Sequence, residues 1–317
     1  MRRVMLWGLS GDPPFDSVRR HLAAWNVPLV AVDQRTVRRT QFDLNTHGAI
    51  TGRVTVCGEP TDLDDIGALY VRPYDVRQVL SESRDTAQGT EDEATALMLG
   101  YKLYAWAEIT DARVVNRPSA ASSNCSKPHQ AELIRRSGFD TPDTIVTTSP
   151  DRVREFVAQH EQVIYKSVSD ARSMVTRIDE SQLSDIDDVV HCPTQFQSYV
   201  AGTDWRVHVV GDDVFACEIH CAADDYRCAE QNGAPLDIHA AALPAAVAAR
   251  CHALATDLNL TLAGIDLRRT SDDAWYCFEV NPSPAFTYYE EAAGQPIGES
   301  LARLLSGPCA DATQGGA

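Results

Sequence analysis

Apolar positions along the chain gather into short runs separated by polar turns, and only a few stretches keep a helical period. Arg3 to Leu9 is an apolar run ending in Ser10-Gly11-Asp12-Pro13-Pro14, which reads as a strand and a turn. Asp16 and Ser17 stand where they can cap a helix through Trp25, with Val18, Leu22 and Trp25 on one side. Val27 to Val32 is a second buried strand. Residues 40 to 57 divide into two or three short strands with turns at Asn45-Thr46-His47-Gly48 and at Gly52, and Ile66 to Val71 follows as another strand. Strand, helix, strand predicts an open α/β lobe. No GxGxxG follows the first strand, so this is not a dinucleotide fingerprint. Ser81 to Glu93 is polar and reads as a loop or helix start. Glu91 to Glu108 reads as a connecting helix, with Ala94, Met98, Tyr101, Ala105 and Ile109 at helical spacing.

Further on, short strands are predicted at Val114-Val115-Asn116-Arg117-Pro118, Thr144 to Thr148, Val163 to Lys166 and Thr194 to Val200. Lys127 leads one helix, and Ser149-Pro150-Asp151 caps another through His160. Val207 to Val210 and Val214 to Ile219 flank Gly211-Asp212-Asp213 as a hairpin. Residues 229 to 239 read as a polar loop. Pro244 to Leu258 is an amphipathic helix with Val247, Cys251, Leu254 and Leu258 on one stripe, and Ile297 to Leu305 is a last helix. Between them, Ala263 to Ala285 reads as two strands around Thr270-Ser271-Asp272-Asp273. Period two puts Asp266 and Arg268 on one face, away from Ile265 and Leu267. In the second strand Glu279 and Asn281 share a face, and Tyr276, Phe278 and Val280 take the other. Parity across the turn then brings Asp266, Glu279 and Asn281 to one face of one hairpin, and Pro282 and Pro284 end the ladder. An oxygen-only donor set of this kind suits magnesium. The alternative is an edge hairpin whose polar face is merely solvated.

Composition narrows the partners. The chain has 317 residues, and its 44% hydrophobic and 23% charged content are ordinary for a folded soluble protein. Its formal charge of −17, from 28 basic and 45 acidic residues, argues against nucleic acid. An anionic cofactor needs a pocket that concentrates Lys and Arg locally. No apolar run approaches the roughly 18–20 residues that span a bilayer, and the start MRRVMLWGLSGDPP is a first strand and not a signal peptide. Nine cysteines with no CxxC pair read as reduced thiols of a cytoplasmic protein, and Cys217, Cys221 and Cys228 do not have a common zinc spacing.

An Asp, a short hairpin, then Glu-x-Asn followed by small residues and Pro resembles the last core strands of the ATP-grasp ligases. Within that superfamily FEVNPSPAF is most similar to ribosomal-protein glutamate ligases and microviridin-type (graspetide) peptide ligases. The resemblance implies an α/β (α+β) ATP-grasp fold. It divides into an N-terminal α/β domain over 1–95, a central lobe over 96–190, a C-terminal lobe over 191–306 and an unstructured tail over 307–317, with ATP between the last two lobes. By the same resemblance Asp266, Glu279 and Asn281 hold Mg2+, and Lys127 and Lys166 contact the ATP phosphates. Ser167 and Arg172, in a loop without glycine, add donors. Gln197, Ser198 and Tyr199 form a hinge that meets adenine, largely through backbone groups, and Asp204 takes the ribose hydroxyls. Arg206 neutralises the transferred phosphate, and Arg227 takes the role that relatives give to an arginine at the place of His220. Arg72 and Tyr74, just beyond the strand Ile66 to Val71, are candidates to hold an acidic substrate, unless Arg72 pairs with Asp75 in a turn. His220 and Ser283 complete the substrate set.

The implied activity is ATP-dependent carboxylate-amine or carboxylate-hydroxyl ligation through an acyl phosphate, on Asp or Glu side chains of a ribosomal peptide. Ligation of small amino acids or dipeptides, and a catalytically silent nucleotide-binding module, are the alternatives. The expected partner is a carboxylate-bearing peptide or amino acid. A homodimer is allowed, and neither nucleic acid nor membrane is expected.

Overall fold

The computed structural model describes residues 2–80, 87–167, 176–178, 186–221, 226 and 235–307. The first apolar run forms β1 (Arg3–Gly8), followed by α1 (Pro13–Ala24) and β2 (Leu29–Asp33), which lies parallel to β1. The helix is capped by Asp12, whose carboxylate accepts the Phe15 N–H at 3.1 Å, and not by Asp16 or Ser17. Pro13 and Pro14 fill its first turn, where an N–H has no helical partner to lose. Val18 and Leu22 are buried as expected. Trp25 is 40% exposed, because it is the C-cap and falls off the inward stripe.

The chain then makes an antiparallel sheet of β3 (Thr40–Asn45), β4 (Thr51–Val56) and β5 (Glu59–Asp62). Gly52 lies inside β4 and not at a turn. A Cβ there would meet the Asp43 carbonyl at 2.1 Å, so the glycine permits close approach of two backbones. β6 (Ile66–Val71) enters beside β1. The short helix α2 (Val76–Val79) and long α3 (Ala87–Ile109) follow, and β7 (Arg113–Val115) pairs with β6, giving a parallel sheet in the order β2-β1-β6-β7. Position 95 thus falls inside α3, and this sheet draws on residues up to 115. α3 begins earlier than Glu91 and buries Leu103, Trp106 and Ala107 against Phe42 and Val54, whereas Met98 and Tyr101 are 58% and 67% exposed. The helix is apolar on several sides, so its period alone did not select the inward stripe.

After α4 (Pro118–Ala121) come α5 (Lys127–Arg136), β8 (Thr144–Thr147), α6 (Pro150–Gln159), β9 (Val163–Ser167), β10 (Thr176–Arg177) and β11 (Thr194–Ser198). The four strands form an antiparallel sheet in the order β10-β9-β11-β8. Ser149 caps α6 by accepting the Arg152 N–H. Val163 and Phe196 pack on Val153 and Phe156 of α6. Period two therefore turns Lys166, Gln195 and Gln197 to the other face.

The third sheet contains β12 (Thr203–Val210), β13 (Asp213–Cys221), β14 (Leu236–Ala240), β15 (Leu262–Arg269) and β16 (Trp275–Asn281), in the order β14-β13-β12-β15-β16. β14 occupies part of the stretch expected to be loop. It is an edge strand with only Ile238 buried, so its alternation leaves little trace. Helix α7 (Ala245–Asp257) places Val247, Cys251 and Leu254, with Leu258 just beyond, on Trp205, Val207, Ile265 and Val280, as its stripe predicts. Finally α8 (Thr287–Ala293) leads to α9 (Ile297–Ser306), whose Ile297, Leu301 and Leu305 pack with Val4, Phe15 and Val18. The C-terminal helix is thereby sealed against the first strand. Among the described residues no helix is long and apolar enough to cross a membrane.

Candidate active site

The hairpin β15–β16 pairs Asp266 directly with Glu279, and Gly264 with Asn281. The expected convergence of the two carboxylates and the amide on one face is what the register gives. A bulge interrupts the ladder between Asp266 and Leu267, where Cys277 and Glu279 oppose consecutive residues and Phe278 is extra. The predicted face of Tyr276 and Phe278 is therefore wrong. Cys277 and Val280 are both in the α7 core, while the Phe278 ring lies 5.2 Å from the Arg268 guanidinium on the polar face. Two carboxylates directly opposed on a sheet repel each other without a cation. Their oxygens and the Asn281 side-chain oxygen, which accepts the Ser283 N–H at 2.8 Å, form a donor set of the kind magnesium takes.

Arg206 on β12 is the cross-strand partner of Asp266, and its Nη1 donates to Asp266 Oδ1 at 2.5 Å. The guanidinium is 6% exposed and lies 5.4 Å from the Tyr289 ring, whose hydroxyl is 2.8 Å from that of Tyr226. Burial opposes its charge, but Asp266, Tyr289 and Tyr226 outweigh burial and hold its pKa above the ordinary arginine value. Arg206 Nε donates to His208 Nε2 at 3.3 Å, so the proton of this wholly buried imidazole sits on Nδ1. Burial and the adjacent Arg206 charge push the His208 pKa well below the usual 6.5.

That shift gives a prediction with a definite sign. The unfolded chain binds a proton at this position near pH 6.5 and the folded chain does not, so folding stability falls as pH drops below 6.5. One such group contributes at most about 1.4 kcal/mol per pH unit. His208→Gln should flatten this part of the stability profile between pH 6.5 and 5, measured by thermal melts. An unchanged slope would contradict a neutral His208.

Asp204 is gripped by Arg268, with Nε to Oδ1 at 2.8 Å and Nη2 to Oδ2 at 3.0 Å, and Arg268 Nη1 also donates to the Val200 carbonyl at 2.8 Å. Sequence periodicity placed Arg268 on this face but gave it no role, because its partner is 64 positions away. Tyr199 is stacked on by Arg177, 4.0 Å from its ring, and approached by Arg268 at 5.6 Å. The N–H groups of Ser198 and Tyr199 donate to the carbonyls of Asp143 and Gln162, both at 2.9 Å, and are thus spent inside the protein. What the segment offers instead is the Oε1 atoms of Gln195 and Gln197. Both are buried without a hydrogen-bond partner among the described residues, and an unsatisfied acceptor of this kind suits an amino-group donor. Gln195, Gln197, Lys127, Thr144 and Phe278 line one cleft of 520 Å³, so it draws on both the second and third sheets. Lys127 opens α5, and Lys166 is 9% exposed opposite Gln195 on β9. Ser167 ends β9, and Arg172 and Arg227 lie outside the described residues.

Two buried amides not singled out from sequence fix the relative position of these parts. Gln130, 2% exposed, donates to the Val280 carbonyl at 2.8 Å and accepts the Val280 N–H at 3.0 Å. It docks the helix led by Lys127 onto the free edge of the strand that carries Glu279 and Asn281. Asn116 donates to the carbonyls of Leu262 and Pro282, both at 2.6 Å, and accepts the N–H groups of Thr261 and Leu262.

The expected substrate residues are redistributed. Arg72 is 5% exposed, pairs with Asp12 and not with Asp75, and donates to the Ser283 carbonyl and hydroxyl and to the Pro284 carbonyl. Tyr74 donates its hydroxyl to the same Asp12. Arg72, Tyr74 and Ser283 therefore form a tie from the end of β6 to the turn after Asn281, in which Arg72 is buried and its donors are spent inside the protein, while Tyr74 and Ser283 stay at the surface. His220 is also displaced. Arg206 pairs with Cys217, so alternation sends His220 to the opposite face of the sheet.

Comparison with known proteins agrees with this geometry. A model of the RimK-like ATP-grasp domain matches residues 124–305. A probable alpha-L-glutamate ligase of Sodalis glossinidius is 28% identical over 216 residues, 64% of this chain and 72% of that protein. The ATP-grasp ligase PsnB, solved with minimal precursor, Mg and ADP, is 26% identical, with 95% of this chain and 96% of that one covered and a TM-score of 0.76. The macrocyclase MdnC of Microcystis aeruginosa, solved with precursor peptide MdnA, has the same fold, with a TM-score of 0.80 over 96% of this chain and 99% of that one at 18% identity.

Proposed function

Because this chain belongs to the RimK-like ATP-grasp family and is an ATP-dependent ligase, we propose that it joins carboxylate side chains of a peptide to amine or hydroxyl groups. The supporting observation is the reach of the likeness. The match to the peptide-complexed PsnB runs through 95% of the chain, including the N-terminal sheet, whereas the glutamate-ligase relative covers 64%. That relative keeps small-molecule amino-acid ligation as a second reading.

Lys127 and Lys166 neutralise the ATP phosphates as compact point charges. Asp266, Glu279 and Asn281 would hold magnesium, which would supply charge compensation for the phosphate oxygens. Arg206 stands beside Asp266 with a donor-rich planar group, where negative charge grows on a phosphoryl group in transfer. The substrate carboxylate takes the γ-phosphate to give an acyl phosphate and ADP. The amine or hydroxyl then displaces inorganic phosphate, and one water is lost overall from the acceptor. A thiol nucleophile is not required. Burial pushes the Cys217 thiol up to about 11 against the opposing effect of Arg206, so it stays protonated at neutral pH. Among the described residues Cys57, Cys125, Cys192, Cys217, Cys251 and Cys277 form no disulfide, which with ATP use fits a cytoplasmic setting.

Glu279→Gln keeps the shape of the hairpin and removes one charge from the donor set. We expect kcat for phosphate release to fall by about a hundredfold or more while ADP still binds. Turnover at the wild-type rate would sink the assignment of Glu279.

A further inference from the structure

We propose that Glu218, His220 and His239 form a second metal site, for a zinc-type divalent ion, at the β13–β14 edge and on the sheet face opposite Asp266. The register sets Glu218 opposite His239 and His220 opposite Asp237, so alternation brings all four side chains to one face. That face is not the ligase face. Glu218 pairs across β12 with Trp205, whose side chain lies in the α7 core, whereas Arg206 pairs with Cys217 on the other side.

The three ligand atoms of Glu218, His220 and His239 all lie within 4.8 Å of one another. His239 Nε2 is 3.4 Å from Glu218 Oε2, and His220 Nε2 is 3.8 Å from Glu218 Oε1. Ligands around a tetrahedral ion with bonds near 2.0–2.1 Å stand roughly 3.3 Å apart, so small side-chain rotations close the set. The two imidazoles are already stacked, with centroids 5.3 Å apart and planes 16° from parallel, and both present Nε2 to the same carboxylate. An outer partner is close by: Asp237 Oδ2 lies 3.7 Å from His239 Nδ1, beyond hydrogen-bond reach, and a small side-chain rotation would make the carboxylate–histidine pair that fixes the tautomer of a metal-bound imidazole. Two imidazoles and a carboxylate suit zinc, in contrast to the oxygen-only set of Asp266, Glu279 and Asn281. Water can complete the shell, since the two histidines are 52% and 46% exposed.

A metal here pins edge strand β14 to β13. The reverse face of this pair carries Cys217, Ile219 and Ile238, which pack on Tyr289 next to Arg206. The site would therefore stiffen one wall of the active site without entering it.

The test uses the full chain, stripped with chelator and kept reduced, with Co2+ as a spectroscopic probe and Zn2+ for melting. The expected result is one Co2+ per chain with ligand-field bands of a four- or five-coordinate N/O site and no thiolate charge-transfer band, in addition to any six-coordinate ion held by the oxygen set of Asp266, Glu279 and Asn281. Zn2+ at about a hundredfold excess over Kd should raise Tm on the order of 5 °C. Asp237→Asn should weaken binding by about tenfold or more. His220→Ala with His239→Ala should abolish it while leaving the metal-free Tm unchanged, as expected of exposed positions. Four- or five-coordinate N/O bands that survive in the double variant, a thiolate band, or the absence of those N/O bands at millimolar Co2+ would each overturn the site.

Discussion

Gly264→Ala is expected to lower kcat for ATP-dependent ligation by about a hundredfold or more, because a misplacement near 1 Å at a reacting group has effects of that size. Gly264 lies on β15 between His208 of β12 and Asn281 of β16. A Cβ at this position would stand 2.2 Å from Arg206 Nη2 and 2.6 Å from Pro284 Cβ. Arg206 is 6% exposed and cannot step into solvent, so it must leave the position in which it meets Asp266. Overpacking of this kind costs about 1–3 kcal/mol, which a chain of this size can absorb and remain folded. Because the loss acts through Arg206, Gly264→Ala combined with Arg206→Ala should be little worse than Arg206→Ala alone. Wild-type kcat in Gly264→Ala would show that Arg206 does not need its present position.

Asn116→Leu is expected to be the most destabilising single change outside the apolar core. Its amide satisfies two carbonyls and two N–H groups of Thr261, Leu262 and Pro282, all at the junction of the first and third sheets. Leucine fills the space but leaves these groups buried and unpaired, at about 1–3 kcal/mol each. Partial relaxation brings the expected total near 4 kcal/mol, equivalent to a fall in Tm of about 10 °C. Since Pro282 follows Asn281, the metal-side hairpin should loosen as well, and KM for Mg-ATP should rise. A melting temperature within about 2 °C of wild type would mean that the junction is held by its apolar contacts alone.

Parity across a four-residue turn brings Asp266, Glu279 and Asn281 to one face, but β16 does not keep period two: the ladder starts with Arg269 opposite Trp275, one residue later than that turn implies, and the bulge at Phe278 restores the phase. The bulge at Phe278 was not legible, since nothing in its residue type marks an inserted position, and every assignment N-terminal to it on that strand shifted by one face. The stripe of α7 could be read because polar residues bound it. That of α3 could not, because Met98 and Tyr101 are apolar in pattern yet face outward. Partnerships over long sequence separation left no periodic trace. Arg72 reads as a strand-end cation free for a ligand, and only the fold brings Asp12 and Ser283 to it. Arg268 and Gln130 are similar cases, with partners 64 and 150 positions away. The paired histidines of β13 and β14 depend on an edge strand whose alternation is too weak to predict.

The central claim is tested most directly by mass spectrometry of candidate peptides rich in Asp and Glu side chains, each incubated with the enzyme, ATP and Mg2+. The account predicts that peptide mass falls by one water per bond formed, with one ADP and one phosphate released for each. An unchanged peptide mass, together with ADP release driven by free amino acids, would contradict it and assign the chain to small-molecule ligation.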